Sequence, residues 1–566
     1  MCGIAGIIGN YLNFDFPEML HSQHHRGPDA TGVYEDANQA IFGHNRLSII
    51  DLSTDANQPF FDNSHRYCIV FNGEIYNYIE LKQQLQGLYD FKTTSDTEVL
   101  LAAYIVYGQD LLHKLNGMFA FAIWDFETKK LFAARDRFGV KPFYYALDSN
   151  SFLFSSEIKA LHKAGIPKID NQKVWLTYFA HDIYGNPDET FFENIFQLPG
   201  SHFLTFENGN LDIQKWYFLE NEVKKYSKNI TFENAKSQYL ALLKDSISLR
   251  FRADVPIAIN VSGGLDSTLL LYLANQENDN QKINAYTFYT NSKEYDELEW
   301  VEAIVAKTKN PLKKVLLKSI EVSDFYKKIA QHQDEPFGGI PTLAYAKIFA
   351  KARKNGAIVL LDGQGLDEQF AGYDYYQQDN NNLIQGTKSS NSKFDLLSND
   401  LKKFASLPMF PKPFEDELTN KQYRDLFYTK IPRALRFNDR ISMAFSTELR
   451  EPFLDYRLVE FAFSLPNKFK IKNGQGKFLL HDLAKTFLPQ NIAFTPKRAL
   501  QTPQREWLFD ELQDMGKSSV DAILNSKYAN WFDKVAFQNA ANHFFDGNIQ
   551  NSFFVWQCIS LASIIN

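Results

Sequence analysis

Apolar residues in this chain gather first in short runs broken by turns and later in longer stretches at helical spacing. Between residues 2 and 206, the runs 4–8, 67–71, 120–124, 131–134 and Ser151–Ser155 have the length and content of buried strands. Apolar residues recur at three and four over 78–86 and Asp96–Tyr107, which predicts helices there. Mixed short strands and helices predict sheets covered by helices. Residues 219–229 are charged and short of large aliphatics, which suits a linker or the start of a helix and sets a boundary near 218. Beyond it, Phe232–Leu249 shows one apolar helical face, and 257–261, 285–290 and 357–361 read as strands, the first running into an apolar helix over 268–274. Strands alternating with helices predict a parallel sheet wrapped on both faces, with ligands at the carboxyl ends of its strands. The Phe- and Trp-rich tail past about residue 519 reads as a closing helical layer.

Composition narrows the class. A chain of 566 residues exceeds what one core usually supports, so two large domains are expected, 2–218 and 219–566. A formal charge of −7 argues against a general nucleic-acid binder, and no run of ~18 apolar residues or signal-like N-terminus points to a membrane or to secretion. Three cysteines, Cys2, Cys68 and Cys558, form neither a disulfide framework nor a zinc spacing, which fits a reducing cytoplasm.

One of those cysteines carries chemistry. If Met1 is removed, Cys2 becomes the N-terminus, and an α-amine titrating near ~8 serves as a base for its own thiol. Read alone, Cys2 is equally a small residue entering a buried strand. Around it stand His25-Arg26-Gly27-Pro28-Asp29, His44-Asn45-Arg46 and Asn72-Gly73-Glu74, polar clusters that singly read as turns or ion pairs. Together they supply what acyl transfer from a carboxamide requires. Asn72 and the Gly73 N–H are suited to an oxyanion, Arg46 to a substrate carboxylate, and Glu74 and Asp96 to an α-ammonium.

In the second half, the strand ending at Asn260-Val261 runs into Ser262-Gly263-Gly264-Leu265-Asp266-Ser267 and then a helix, an anion cradle rather than a Walker A loop. Asp266 beside phosphates calls for Mg²⁺ between them. A second strand-to-loop transition, Asp362-Gly363-Gln364-Gly365-Leu366-Asp367, allows close backbone approach, and Asp367 offers a second magnesium ligand.

The start MCGIAGI, then HRGPD, HNRLSIIDLS, FNGEIYNY, SDTEVLL, LNGMFAFAIWD and RDRFGVKPFYY, resembles the glutaminase domain of glutamine-dependent asparagine synthetases. VSGGLDS, DEPF, DGQGLDEQFAGY, DRISMA, ELREPFLD and the PKR around Lys497 are similar to the synthetase half of the same family. The resemblance implies an N-terminal-nucleophile sandwich of two sheets between helices, fused to an α/β nucleotide α-hydrolase-like domain. It implies glutamine, aspartate and ATP as substrates, Mg²⁺ as cofactor, an internal ammonia tunnel, and a homodimer as a state common among relatives. By position, Asn260, Thr290, Asp362 and Gly363 then contact nucleotide, and Lys497 stabilises charge during adenylation.

One position departs from that pattern. Where the family commonly has Ser-Gly-Glu-Gly, this chain has Asp362-Gly363-Gln364-Gly365, so a carboxylate near the acceptor or ATP is replaced by an amide. The expected activity is glutamine-dependent amidation of aspartate through an acyl-adenylate. Gln364 leaves open another carboxylate acceptor, and a ligand-sensing protein without turnover is a third alternative.

Overall fold

The computed structural model describes residues 2–36, 39–148, 150–227, 229–277, 282–377, 393–405, 407–488 and 502–565. Its N-terminal half holds two six-stranded antiparallel sheets. The first runs Phe196–Gln197, Tyr144–Asp148, Ser151–Ser155, Gly3–Ile8, Ala40–Arg46, Ala30–Asp36 from edge to edge. The second runs Asn210–Lys215, His202–Glu207, Lys130–Arg135, Gly117–Asp125, Tyr67–Ile75, Phe60–Phe61.

The strand after Cys2 is central, with Gly3 opposite Asn45 on one side and Ala5 opposite Ser155 on the other. A strand covered on both faces needs small or aliphatic residues throughout, and Gly-Ile-Ala-Gly-Ile-Ile supplies them. At Gly6 a side chain would meet the Phe154 ring at 2.3 Å. Ile4, Phe42 and Phe154 of the first sheet pack against Val70, Ala122 and Trp124 of the second. Helices Phe16–His21 and Ile158–Ala164 cover the outer face of the first sheet, and Asp96–Tyr107 that of the second. The result is the expected four-layer sandwich.

The C-terminal half is built on a five-stranded parallel sheet in the order Leu312–Leu316, Asn284–Tyr289, Ile257–Asn260, Val359–Leu361, Glu448–Arg450. Phe232–Leu249 and Leu265–Glu277 pack on one face, and Ile340–Lys354 and Lys430–Met443 on the other. The second face is closed by Gln513–Leu524, Lys534–Phe545 and Ser552–Ile565, in line with the reading of the aromatic tail. Leu265–Glu277 extends beyond the expected 268–274, because Leu265 and Asp266 already form its first turn. The 219–229 stretch opens as a short helix, Leu219–Glu222, since Leu219 is fully buried against the sandwich and cannot run free.

Buried polar contacts join the halves. Arg26 reaches across to Asp439 through two hydrogen bonds, 2.9 and 3.1 Å, while also donating to Glu157 at 2.9 Å. Arg440 returns the contact to Glu157 at 3.1 Å, and Asn116 donates to Asp455 at 2.9 Å. Burial alone would raise the Asp439 carboxyl, but the Arg26 guanidinium holds it below the usual range.

Candidate active sites

The first site lies where the central strand begins. Cys2, Arg46, Gly73, Glu74 and Asp96, five residues spread over the first hundred positions, line one narrow cavity. Cys2 is buried, and its backbone N–H donates to Asn72 Oδ1 at 3.0 Å. That bond fixes the amide so that Nδ2, also buried, is left without a partner among the described residues. A buried donor kept free beside a thiol is the arrangement an oxyanion needs. Gly73 is demanded by packing, since a side chain there would meet the Met118 carbonyl oxygen at 2.1 Å. The Cys2 thiol is pushed up by burial, so its thiolate has to be made by a nearby base at the moment of attack.

Glu74 and Asp96 share a condition. Burial pushes the Glu74 carboxyl well up and holds Asp96 at about 6. Asp96 opens the helix Asp96–Tyr107 and accepts from the Ile75 N–H at 2.9 Å, while Glu74 lies 3.4 Å from Arg450 of the other half. Two neighbouring buried acids whose carboxyls burial has raised form a wall suited to a cationic group. Arg46 is held by the loop that covers the cavity, donating to Ser53 O at 2.6 Å, Asn57 Oδ1 at 2.8 Å and the Asp51 carbonyl. Its guanidinium is therefore a fixed wall of the pocket and also ties down its rim.

The second site is a cleft of about 420 Å³ at the carboxyl ends of the parallel strands. The two glycine loops leave neighbouring strands, Ile257–Asn260 and Val359–Leu361, on either side of the point where strand order reverses. The first loop is laced by serines: Ser267 Oγ accepts from the Ser262 N–H at 3.1 Å and donates to the Gly264 carbonyl at 3.3 Å. Gly263 sits at φ 77° with Trp300 Cβ 2.9 Å from where its own would stand. Asn260, Ser262, Gly264, Asp266, Ser267, Asp362, Gly363 and Asp367 line the cleft. Asn260 donates to the Tyr345 hydroxyl at 2.9 Å, its buried Oδ1 having no partner among the described residues, and Asp362 Oδ1 accepts from the Gly363 N–H at 2.8 Å.

Thr290 is placed differently. Its N–H and hydroxyl both donate to Asp296 Oδ1, at 2.6 and 3.0 Å, and Thr287 and Phe288 of the preceding strand line the cleft. Lys497 lies outside the described residues.

Asp266 and Asp367 converge on a lysine that was not singled out from the sequence. Lys477 Nζ lies 2.8 and 2.6 Å from the Asp266 oxygens and 2.6 Å from Asp367 Oδ1. Against its burial, the two carboxylates hold the ammonium above the usual lysine range. Magnesium on a polyphosphate needs only one or two carboxylates, the rest of its shell being phosphate and water, so this pair fits it. The sequence signal for Lys477 was the preceding Gly474-Gln475-Gly476, a glycine turn opening a helix, but lysines are common and its partners lie more than a hundred residues away.

Comparison with known proteins agrees with both halves. The glutamine amidotransferase domain family matches residues 1–217, and asparagine synthase matches residues 238–564. The chain belongs to the asparagine synthase family. Asparagine synthetase [glutamine-hydrolyzing] 3 of Bacillus subtilis is 30% identical over 551 residues, covering 88% of this chain and 86% of that protein. A putative asparagine synthetase of Methanocaldococcus jannaschii is 34% identical over 398 residues, covering 66% of this chain and 76% of its own. A Gibberella zeae protein named amidase chry2 is 26% identical over 615 residues, covering 90% of each. Membership in this family implies glutamine and ATP as substrates, and, among the described residues, no helix is long and apolar enough to cross a membrane.

Proposed function

We propose that this chain makes asparagine from aspartate, ATP and the amide nitrogen of glutamine, with residues 2–218 releasing ammonia and residues 219–566 consuming it. What supports this most is that one chain holds two pockets with complementary chemistry: a cysteine bonded through its N–H to an asparagine whose amide donor has no partner among the described residues, and a glycine-walled cleft with two convergent aspartates.

In the first pocket, with Met1 removed, the Cys2 α-amine takes the thiol proton and Sγ attacks the glutamine side-chain carbonyl. The oxygen becomes negative and is met by Asn72 Nδ2 and the Gly73 N–H, worth about 10²–10³ in rate for one such donor. Arg46 faces the α-carboxylate, and Glu74 and Asp96 the α-ammonium. Collapse of the adduct breaks the C–N bond, the amide nitrogen taking the proton held by the α-amine and leaving as ammonia, and the glutamyl thioester that remains is hydrolysed by water to glutamate.

In the cleft, the serine-glycine turn and the N-terminus of Leu265–Glu277 hold the polyphosphate. Asp266 and Asp367 would hold Mg²⁺, which when bound neutralises phosphate charge. The acceptor carboxylate attacks the α-phosphorus, pyrophosphate leaves, and Lys497 offsets the charge gathering there. Ammonia then displaces AMP. A cavity of about 10 Å³ between the halves, lined by Asn116, Met118 and Arg250 among others, has room for a molecule of that size.

A second reading keeps the machinery and changes the acceptor, and Gln364 is the observation that favours it. ATP–pyrophosphate exchange measured over a panel of acids separates the two. Aspartate-dependent exchange is the expected result, and exchange with another acid but not aspartate would replace it with the second reading.

A further inference from the structure

The proposed reaction gives no role to Glu451. This residue follows the strand Glu448–Arg450, which pairs with Val359–Leu361 so that Arg450 stands opposite Leu361. Glu451 and Asp362 are therefore neighbours at the carboxyl ends of adjacent strands, the Asp362 N–H donating to the Arg450 carbonyl at 3.0 Å. Glu451 is 3% exposed, and among the described residues no side chain donates a hydrogen bond to either of its carboxylate oxygens. The acids around it are provided for: Glu448 binds Arg450 at 2.5 Å, and Asp455 takes Asn116 and Arg250 at 2.9 and 3.1 Å. A buried carboxylate without a side-chain donor is unfavourable even with the charges of Lys141 and Arg250 near it, and a residue kept only for packing would not retain it.

Two cavities meet at this position. Glu451 lines the small cavity between the halves together with Met118, and Met118 pairs in register with Glu74 of the glutamine pocket. On the other side, Asp362 and Gln364 line the nucleotide cleft, and Glu451 interacts with both, with the first by charge and with the second through its backbone N–H. Gln364 stands where the family commonly carries a carboxylate. The cleft thus carries an amide at this point, and the carboxylate of Glu451, which lines the small cavity between the halves, lies next to it in contact with that residue's backbone.

Resting on the amide-forming reading above, we propose that Glu451 is the proton acceptor of the amide-forming step, in place of the carboxylate that Gln364 lacks. The lone pair of ammonia forms the C–N bond at the acyl-adenylate carbonyl. The C–O bond to AMP breaks and its electron pair leaves with the phosphate. One N–H proton passes to a Glu451 oxygen, so that the amide departs neutral. Burial and the neighbouring Asp362 push this carboxyl up, which makes its ionised form a stronger base than a surface glutamate.

The test uses the full chain and separates the two half-reactions. Glu451→Gln should keep aspartate-dependent ATP–pyrophosphate exchange within about twofold while ammonia-dependent amide formation falls by about 10²–10⁴, the usual range for a lost general base. The double variant Gln364→Glu with Glu451→Gln, which returns the carboxylate to the family's position, should recover at least about tenfold of that loss. Unchanged amide formation in Glu451→Gln would overturn the proposal. So would equal loss of exchange and amide formation in both variants, which marks a structural role. Absence of exchange with aspartate in the unmodified chain would instead overturn the acceptor assignment.

Discussion

Asn72 illustrates how a single side chain joins folding to chemistry. Its carbonyl is bound by the Cys2 N–H, so its amide is oriented by the residue it serves. Asn72→Ala should lower glutamine turnover by about 10²–10³ with little change in glutamine KM, because the lost donor acts on the transition state. On the proposed reading Asp96 acts on glutamine binding, and it carries a pH signature. Its pKa is raised from 3.8 to about 6, so the fold keeps its proton longer than the unfolded chain does. Its contribution to stability is therefore complete below the unfolded value and is lost as pH rises through about 6. Pairing with an α-ammonium requires the ionised form, so glutamine KM should fall as pH rises through about 6, and Asp96→Asn should raise KM and remove that limb. Cys2, Asn72, Asp266 and Asp367 stand out in the sequence as candidates because their neighbours in sequence share their chemistry. Lys477 and Glu451 do not, since what distinguishes each is a partner, or the lack of one, supplied by distant segments.

At the level of elements, the two glycine turns depend on where their strands sit. Gly263 has a left-handed φ of 77° and Trp300 packed against it, so Gly263→Ala should weaken ATP binding severalfold or more, read as a raised KM for ATP in the exchange assay, with glutaminase activity unchanged. The strands over 4–8, 67–71, 120–124, 131–134, 151–155, 257–261, 285–290 and 357–361 were readable from apolar runs, whereas Ala30–Asp36, Ala40–Arg46, Tyr144–Asp148 and Leu312–Leu316, with more polar residues between, were not. The order of the strands was not readable either. Gly3–Ile8 finds its partners at Ala40–Arg46 and Ser151–Ser155, and Glu448–Arg450, only three residues long, is too short for any periodicity to announce. That edge strand nonetheless brings Arg450 to Glu74 and Glu451 to Asp362, linking the two pockets.

On the scale of the whole molecule, the halves are held in register by buried charge. Arg26 and Asp439 belong to different halves, are each almost fully buried and pair through two bonds. Arg26→Ala strands Asp439, while Glu157 keeps Arg440 and Lys159, and should cost about 3–5 kcal/mol in denaturant unfolding, more than a surface ion pair can supply. A double change of Arg26→Met with Asp439→Leu should recover part of that loss. Such a rigid interface suits a molecule in which one pocket feeds the other.

The most direct measurement is asparagine formation by Cys2→Ala supplied either with glutamine or with ammonium. The expected result is no product from glutamine and near-normal product from ammonium, since the altered residue lies in the first pocket alone. Product from glutamine, or loss of both activities in a protein that still unfolds like the unmodified chain, would contradict a division of the chemistry between two centres.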